Sequence, residues 1–221
     1  MIEIRNLKKN LRNFELQVAQ LSILSPELLV IKGNNGSGKT TFVELLLDLV
    51  KKDDGEILLF GKSIYNNENW SNSVNAFLGE GFLIGYLTPL EYLNFIAFLR
   101  KVNFSVENLY ELGDFIDSSL LSSKSKISKL SKGQQYKIGI LGALIGAPKL
   151  IIFDEPMAHL DDQTKSQFVC LIEKYISSKE AIIVLTDHGN SFSELKCKVH
   201  ELGFENGKIV SDKNINEVKA E

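Results

Sequence analysis

Apolar and polar positions alternate at the start of the chain, Ile2 and Ile4 against Glu3 and Arg5, then Phe14, Leu16 and Val18 against Glu15 and Gln17. A period of two turns one face of a segment to a core and the other to solvent, so both segments read as strands. Behind a turn at Ser25-Pro26-Glu27 the pattern changes. Leu28 to Ile31 is a continuous apolar run, as expected of a strand covered on both faces. A glycine-rich stretch follows, and then apolar residues recur with helical spacing from Thr40 to about Val50. Asp53-Asp54-Gly55 marks a turn before another short apolar run, Ile57 to Phe60.

The middle of the chain, from about Phe82 to Gly146, reads as mostly helical. Leu90, Leu93, Phe95, Ile96 and Leu99 predict a buried stripe, and Tyr92, Phe95 and Phe98 are read as core. Ser122 to Lys132 is polar and reads as a loop, and Gly133 to Ile145 reads as a second apolar helix ending near Pro148. Beyond it come a strand at Leu150 to Phe153, a helix at Thr164 to Ser177 and a strand at Ala181 to Thr186. Strands alternating with helices indicate a parallel sheet covered on both faces. Val199 to Leu202 and Lys208 to Val210, joined around Asn206-Gly207, read as a hairpin. The expectation is one α/β domain over 1–221. Its core and β part cover about 1–81 and 147–221, and its helical part about 82–146.

Composition narrows the classes. A chain of 221 residues, 44% hydrophobic and 24% charged, can bury its own core. The net charge of -3 supplies no basic field for nucleic acid, and none is expected as a partner. Lys124, Lys126, Lys129 and Lys132 form a basic run that reads as a solvated loop. No window approaches roughly eighteen consecutive apolar residues, so a role at a membrane requires spanning helices from another chain. Cys170 and Cys197 fit no metal motif and are expected as thiols.

The chemistry lies in three motifs. Gly33-Asn34-Asn35-Gly36-Ser37-Gly38-Lys39-Thr40, followed by Thr41, satisfies the P-loop pattern. Its glycines let successive N–H groups turn towards one anion, and the helix behind it presents its positive end. Lys39 can reach the β- and γ-phosphates, and the Thr40 hydroxyl can ligate Mg²⁺. Leu150-Ile151-Ile152-Phe153-Asp154-Glu155 has the Walker B form of four apolar residues and two acids. Asp154 would emerge where parallel sheets bind ligands and hold Mg²⁺, and Glu155 would take a proton from the attacking water. Leu130-Ser131-Lys132-Gly133-Gln134-Gln135 precedes a helix, with Ser131 as its N-cap. A second phosphate-type helix start is hard to place in a monomer with one nucleotide. It makes sense if it completes a site on another copy.

With these residues the chain resembles an ABC-family nucleotide-binding domain. Leu130 to Gln134 resembles that family's signature loop, Leu-Ser-Gly-Gly-Gln, with Lys132 at the first glycine. Gly55-Glu56-Ile57 before Phe60-Gly61-Lys62 resembles the strand after the first helix. Met157 to Asp161 resembles the D-loop, and Thr186-Asp187-His188 resembles the switch-histidine segment. The matches run in the family's order from about Ile2 to Val210. The resemblance implies a P-loop NTPase core with a mostly parallel sheet, an N-terminal antiparallel β subdomain and an inserted helical subdomain. It implies ATP and Mg²⁺ as ligands, and a homodimer or a paired ATPase subunit. It also implies separate transmembrane permease subunits, with this chain peripheral on the cytoplasmic face of the membrane. In that arrangement Gly33 to Thr41 bind nucleotide in cis, and Ser131, Lys132, Gly133 and Gln134 meet it in trans. His188 contacts the γ-phosphate, and Asp161 links the two sites.

Some positions depart from the family's pattern. The aromatic that stacks on adenine would fall near Leu11, with Phe14 as an approximate substitute. The Q-loop glutamine is missing from Gly79-Glu80-Gly81, where Glu80 is the candidate for sensing Mg²⁺. Lys137 stands where Arg is common. His159 and His200 have no such support and read as bystanders, whereas Phe82 to Pro89 reads as a docking region for the membrane subunit. Two alternatives to a transport ATPase remain. One is a soluble ABC-family ATPase acting on ribosomes or DNA, and the other a regulatory module that binds ATP without turning it over.

Overall fold

The computed structural model describes residues 1–215 apart from 13, 25, 66–67, 111–112, 116 and 190–191. Its first half contains β1 (Ile2–Asn10), β2 (Glu15–Ile23), β3 (Leu28–Lys32), α1 (Lys39–Leu46), β4 (Asp54–Leu59), β5 (Lys62–Ser63) and β6 (Val74–Phe77). Four helices follow, α2 (Pro89–Arg100), α3 (Val106–Tyr110), α4 (Ser118–Leu121) and α5 (Lys132–Leu144). The chain then runs through β7 (Leu150–Phe153), α6 (Asp162–Lys179), β8 (Ile182–Asp187), β9 (Val199–Glu205) and β10 (Lys208–Asn214).

The strands form one mixed sheet in the order β5-β4-β1-β2-β10-β9-β3-β8-β7-β6. The β6-β7-β8-β3-β9 stretch is parallel, whereas β1, β2, β4 and β5 pair antiparallel. The hairpin around Asn206-Gly207 is β9–β10, and it joins the two parts because β9 also pairs with β3 and β10 with β2.

The continuous apolar strands are explained by which core each residue enters. Leu28 and Val30 point into one apolar cluster, and Leu29 and Ile31 into a second across the sheet. In β7, Ile151 and Phe153 join the first cluster, and Leu150 and Ile152 the second. With helices on one face and α1 and the antiparallel strands on the other, Leu28 to Ile31 and Leu150 to Phe153 leave no position for a polar residue. The first cluster runs without a break from the sheet into α2 and α5. Gly139 and Gly142 permit this contact, since a Cβ there would meet the rings of Phe77 and Tyr92.

Two expectations are corrected, and one strand is added. The helix after the P-loop stops at Leu46, not near Val50. Asp48 takes a left-handed φ of 54°, and Leu49 N–H bonds the Glu44 carbonyl at 2.9 Å, a closure that caps the helix despite apolar residues continuing beyond it. The strand β6 was not anticipated, because Asn75 interrupts its apolar pattern. Asn75 is buried, and its amide donates to the Ala143 and Ile145 carbonyls, closing the end of α5. The stripe expected along α2 is also rotated. Pro89, Tyr92, Leu93 and Ala97 face the core, while Phe98 is 77% exposed and Leu90, Phe95 and Leu99 are exposed too. This helix is apolar on more than one side, so its spacing alone could not select the inward face.

Among the described residues no helix is long and apolar enough to cross a membrane. Cys170 and Cys197 are free thiols.

Candidate functional site

The sheet brings three distant segments to one end: the turn after β3, the two acids after β7 and the end of β8. Register does this, since Lys32 pairs with Asp187 and Phe153 with Leu185. The turn needs its glycines where the backbone is left-handed, at Gly36 (φ 76°) and Gly38 (φ 108°). Gly38 has a second reason, because a Cβ there would come within 3.3 Å of both Gly207 and the Phe14 ring.

Lys39 opens α1 and is 4% exposed. Its ammonium donates to the Gly33 carbonyl at 2.8 Å and the Asn34 carbonyl at 3.2 Å, so the charge sits inside the curled loop. The Thr40 hydroxyl donates to Asp154 Oδ2 at 2.9 Å across 114 residues of chain. Asp154 Oδ1 accepts from the Thr186 hydroxyl at 2.6 Å. Glu155 faces His188, with Oε1 2.6 Å from Nε2. His188 Nδ1 lies 3.1 Å from the Gly33 carbonyl, which can only accept, so Nδ1 is the donor there. The Gly33 carbonyl therefore receives both Lys39 and His188. Negative charge gathers around Asp154: burial first, and the Asp154 carboxylate second, push the Glu44 carboxyl above its ordinary range. Burial and then the charges of Glu80, Glu155 and Asp154 push the Tyr136 hydroxyl up.

A cavity of about 310 Å³ opens beside this network, lined by Phe14, Asn35, Gly36, Gly38, Lys39, Thr40, Thr41 and Glu155. Phe14, the approximate substitute read from the sequence, is the aromatic on its wall. The residues suit a polyphosphate with a hard cation. The cation Lys39 is pinned among carbonyls, the Ser37 hydroxyl is buried without a hydrogen-bond partner, and the Thr40 and Asp154 oxygens touch. Among the described residues no group of three His, Cys, Asp or Glu side chains could hold a metal. A cation here would take few protein oxygens and the rest from the phosphates, as Mg²⁺ does.

The remaining sequence candidates lie outside that cavity. Ser131 caps α5 in a reciprocal box: its hydroxyl accepts from Gln134 N–H at 3.2 Å, and Gln134 Oε1 accepts from Ser131 N–H at 3.0 Å. Lys132 pairs with Glu80 Oε1, and Glu80 Oε2 is buried without a partner. Glu80 is thus tied to the signature-like loop of its own chain. A Cβ at Gly133 would press on the His159 carbonyl at 2.9 Å. Asp161 caps α6 by accepting from Thr164 N–H at 2.8 Å, the bond that chiefly holds its carboxyl below the usual range. Sequence reasoning gave Thr186 no role of its own, although a Thr ending an otherwise apolar strand was a visible signal.

The profile of the family described as "ABC transporter" matches residues 16–158. The lipoprotein-releasing system ATP-binding protein LolD of Aquifex aeolicus is 31% identical over 96% of this chain and 97% of its own length. The zinc import ATP-binding protein ZnuC of Rickettsia conorii is 29% identical over 85% of this chain and 76% of its own. The molybdate/tungstate import ATP-binding protein WtpC of Pyrococcus horikoshii is 29% identical over 76% of this chain, which spans only 49% of that protein. In fold, the chain matches an ATP-binding cassette solved as a dimer in a post-hydrolysis state with ADP and Pi. The TM-score is 0.83 at 20% identity, covering 98% of this chain and 100% of that one.

Proposed function

The chain belongs to the ABC transporter family, and from that premise we propose that it binds ATP with Mg²⁺ and hydrolyses it to drive transport. The observation carrying this reading is the unbroken hydrogen-bonded path Thr40–Asp154–Thr186–Glu155–His188–Gly33–Lys39, which joins three separate chain segments at one end of the sheet.

Lys39 holds the β- and γ-phosphates, with the loop from Gly33 to Gly38 and Thr41 supplying further donors, and Phe14 borders the cavity where a base would lie. Thr40 and Asp154 hold Mg²⁺, which when bound offsets phosphate charge. Glu155 accepts a proton from the attacking water, and His188 keeps that carboxylate oriented from the far side of the loop. Ser131, Lys132, Gly133 and Gln134 meet the nucleotide of a second copy or a paired ATPase subunit, with Asp161 at the junction. Glu80 links that helix start to the turn after β6, the neighbour of the strand that carries Asp154 and Glu155, as a partner of Lys132 and not as a ligand held ready in the cavity.

The partner in the membrane is a separate permease subunit, and this chain sits on its cytoplasmic side. A cavity of about 800 Å³ between the segment after α1 and the end of α2, with Phe82, Leu49 and Leu99 on its walls, is the candidate seat for it. It continues the docking region read at Phe82 to Pro89, where Phe82 and Tyr86 are exposed. The decisive experiment is phosphate release from Mg²⁺-ATP by the purified chain. Turnover that disappears in Lys39→Ala supports the reading. Absence of turnover, alone and with the co-purifying membrane protein, ends it.

A further inference from the structure

We propose that Thr186 is a positioning residue for hydrolysis, its hydroxyl locking the two acids after β7 to each other. The inference rests on the reading of this end of the sheet as an ATP-hydrolysing site.

Thr186 stands beside Ile31 of β3 and one step past the Phe153–Leu185 pair, between the strand that feeds the phosphate loop and the strand that feeds the acids. It is 0% exposed, in a strand whose other members from Ile182 to Leu185 are all aliphatic. Packing alone would favour another β-branched aliphatic here. A buried hydroxyl is tolerated only when its hydrogen bonds are made. It has one proton to give and lone pairs to receive. The proton goes to Asp154 Oδ1 at 2.6 Å, and a lone pair accepts Glu155 N–H at 2.8 Å.

The consequence is directional. The hydroxyl grips the side chain of one acid and the main chain of the next. Asp154 is thereby held at both oxygens, by Thr186 on one and Thr40 on the other. Glu155 has φ 48°, a left-handed conformation that residues with a Cβ seldom adopt, and its own N–H is the group Thr186 receives. That backbone turn points the Glu155 carboxylate at His188, two residues beyond Thr186. One strand end therefore sets Glu155 twice, through a hydroxyl at its backbone and an imidazole at its carboxylate.

The test compares Thr186→Val, which keeps shape and removes the hydroxyl, with the near-isosteric pair Thr186→Ser and Thr186→Cys, which differ in hydrogen-bonding strength. Three quantities are read: phosphate release, affinity for a fluorescent ATP analogue in EDTA, and the Mg²⁺ concentration giving half of the ATP-dependent rise in melting temperature. Loss of an orienting outer partner costs on the order of 10–100-fold in activity or metal affinity. Val and Cys are therefore expected to lower kcat by about tenfold or more and raise the Mg²⁺ requirement similarly, with affinity in EDTA within about twofold of wild type. Ser is expected to recover turnover to within about threefold. If Val fails to fold, the Ser and Cys pair decides. Wild-type turnover in Val and Cys overturns the proposal. So does Ser as impaired as Cys, or a loss of EDTA affinity that accounts for the loss in rate. A wild-type chain without turnover overturns this proposal and the hydrolytic reading together. Normal Thr186 variants beside a wild-type rate stopped by Glu155→Gln sink this proposal alone.

Discussion

The phosphate end of the sheet and the start of α5 are built on opposite plans. At the sheet end, Lys39, Thr186 and Asp187 are buried, and most bonds join residues more than thirty positions apart. At the α5 start, Ser131 and Gln134 satisfy each other across three residues, and Lys132 is largely exposed. The first arrangement holds its groups rigid before a ligand comes. The second is held only locally and leaves a face open. The difference is the one that the proposed trans role requires: one region is braced by distant parts of its own chain, and the other is held only locally with an open face.

The largest effects are expected at the braced sheet end. Glu155→Gln should slow phosphate release by a factor on the order of hundreds or more, because the positioned base is lost. It should also trap an ATP-dependent dimer, visible as a doubled mass in solution. A monomer at high protein and ATP would remove the trans role from the α5 start, or assign it to a different partner chain. Ser131→Ala should break that dimer in the Glu155→Gln background while leaving the monomer's affinity for ATP in EDTA within about twofold. Its own cap loss is worth about 1 kcal/mol, read as a small fall in melting temperature. Unequal loss of affinity in the separated monomer would erase the contrast between the regions.

The opposite end of the sheet gives a control remote from both. His200 pairs with Leu29 in register and lies near Glu27 and Asp212, with Lys198 also on Glu27. The hydrogen bond to Glu27 raises its pKa most, ahead of the contribution of Asp212 and against burial. A raised folded pKa means that the protonated ring stabilises the fold. That stability is complete below the unfolded value of about 6.5 and is lost as pH rises through the folded value. The melting-temperature gap between wild type and His200→Gln should thus be widest near about pH 5.5 and shrink towards about pH 8.5. A gap that widens with pH would reverse the assignment. The smallest effect belongs to Lys132 and Glu80. Their ion pair is exposed enough that Lys132→Ala should change stability by no more than about 1 kcal/mol. The informative reading is turnover. A loss well beyond the stability change would mean that Lys132 acts on nucleotide and not merely on Glu80.

How much was legible follows from how far apart the interacting residues lie. Gly33 to Thr40 and Leu150 to Glu155 announce themselves because each motif is contiguous, and its chemistry needs neighbouring residues. The alternation in β1 and β2, and the unbroken runs in β3 and β7, were equally readable, since burial on one face or two leaves a local pattern. The inward face of α2 was not, because Phe95, Phe98 and Leu99 are as apolar as the residues that face the core. β6 was hidden by Asn75, whose burial depends on carbonyls about seventy residues away.

By itself the sequence determined the α/β class, the phosphate loop, the two acids and the capped helix start, all of them written in residues close along the chain. Tertiary structure alone decided that Phe14 lies on the cavity wall, that Glu80 belongs to Lys132, and that Thr186 ties Asp154 to Glu155. The reason is physical. Periodicity and turn chemistry act over a few residues, but a buried hydroxyl or carboxylate is satisfied by whatever the register of the sheet sets beside it.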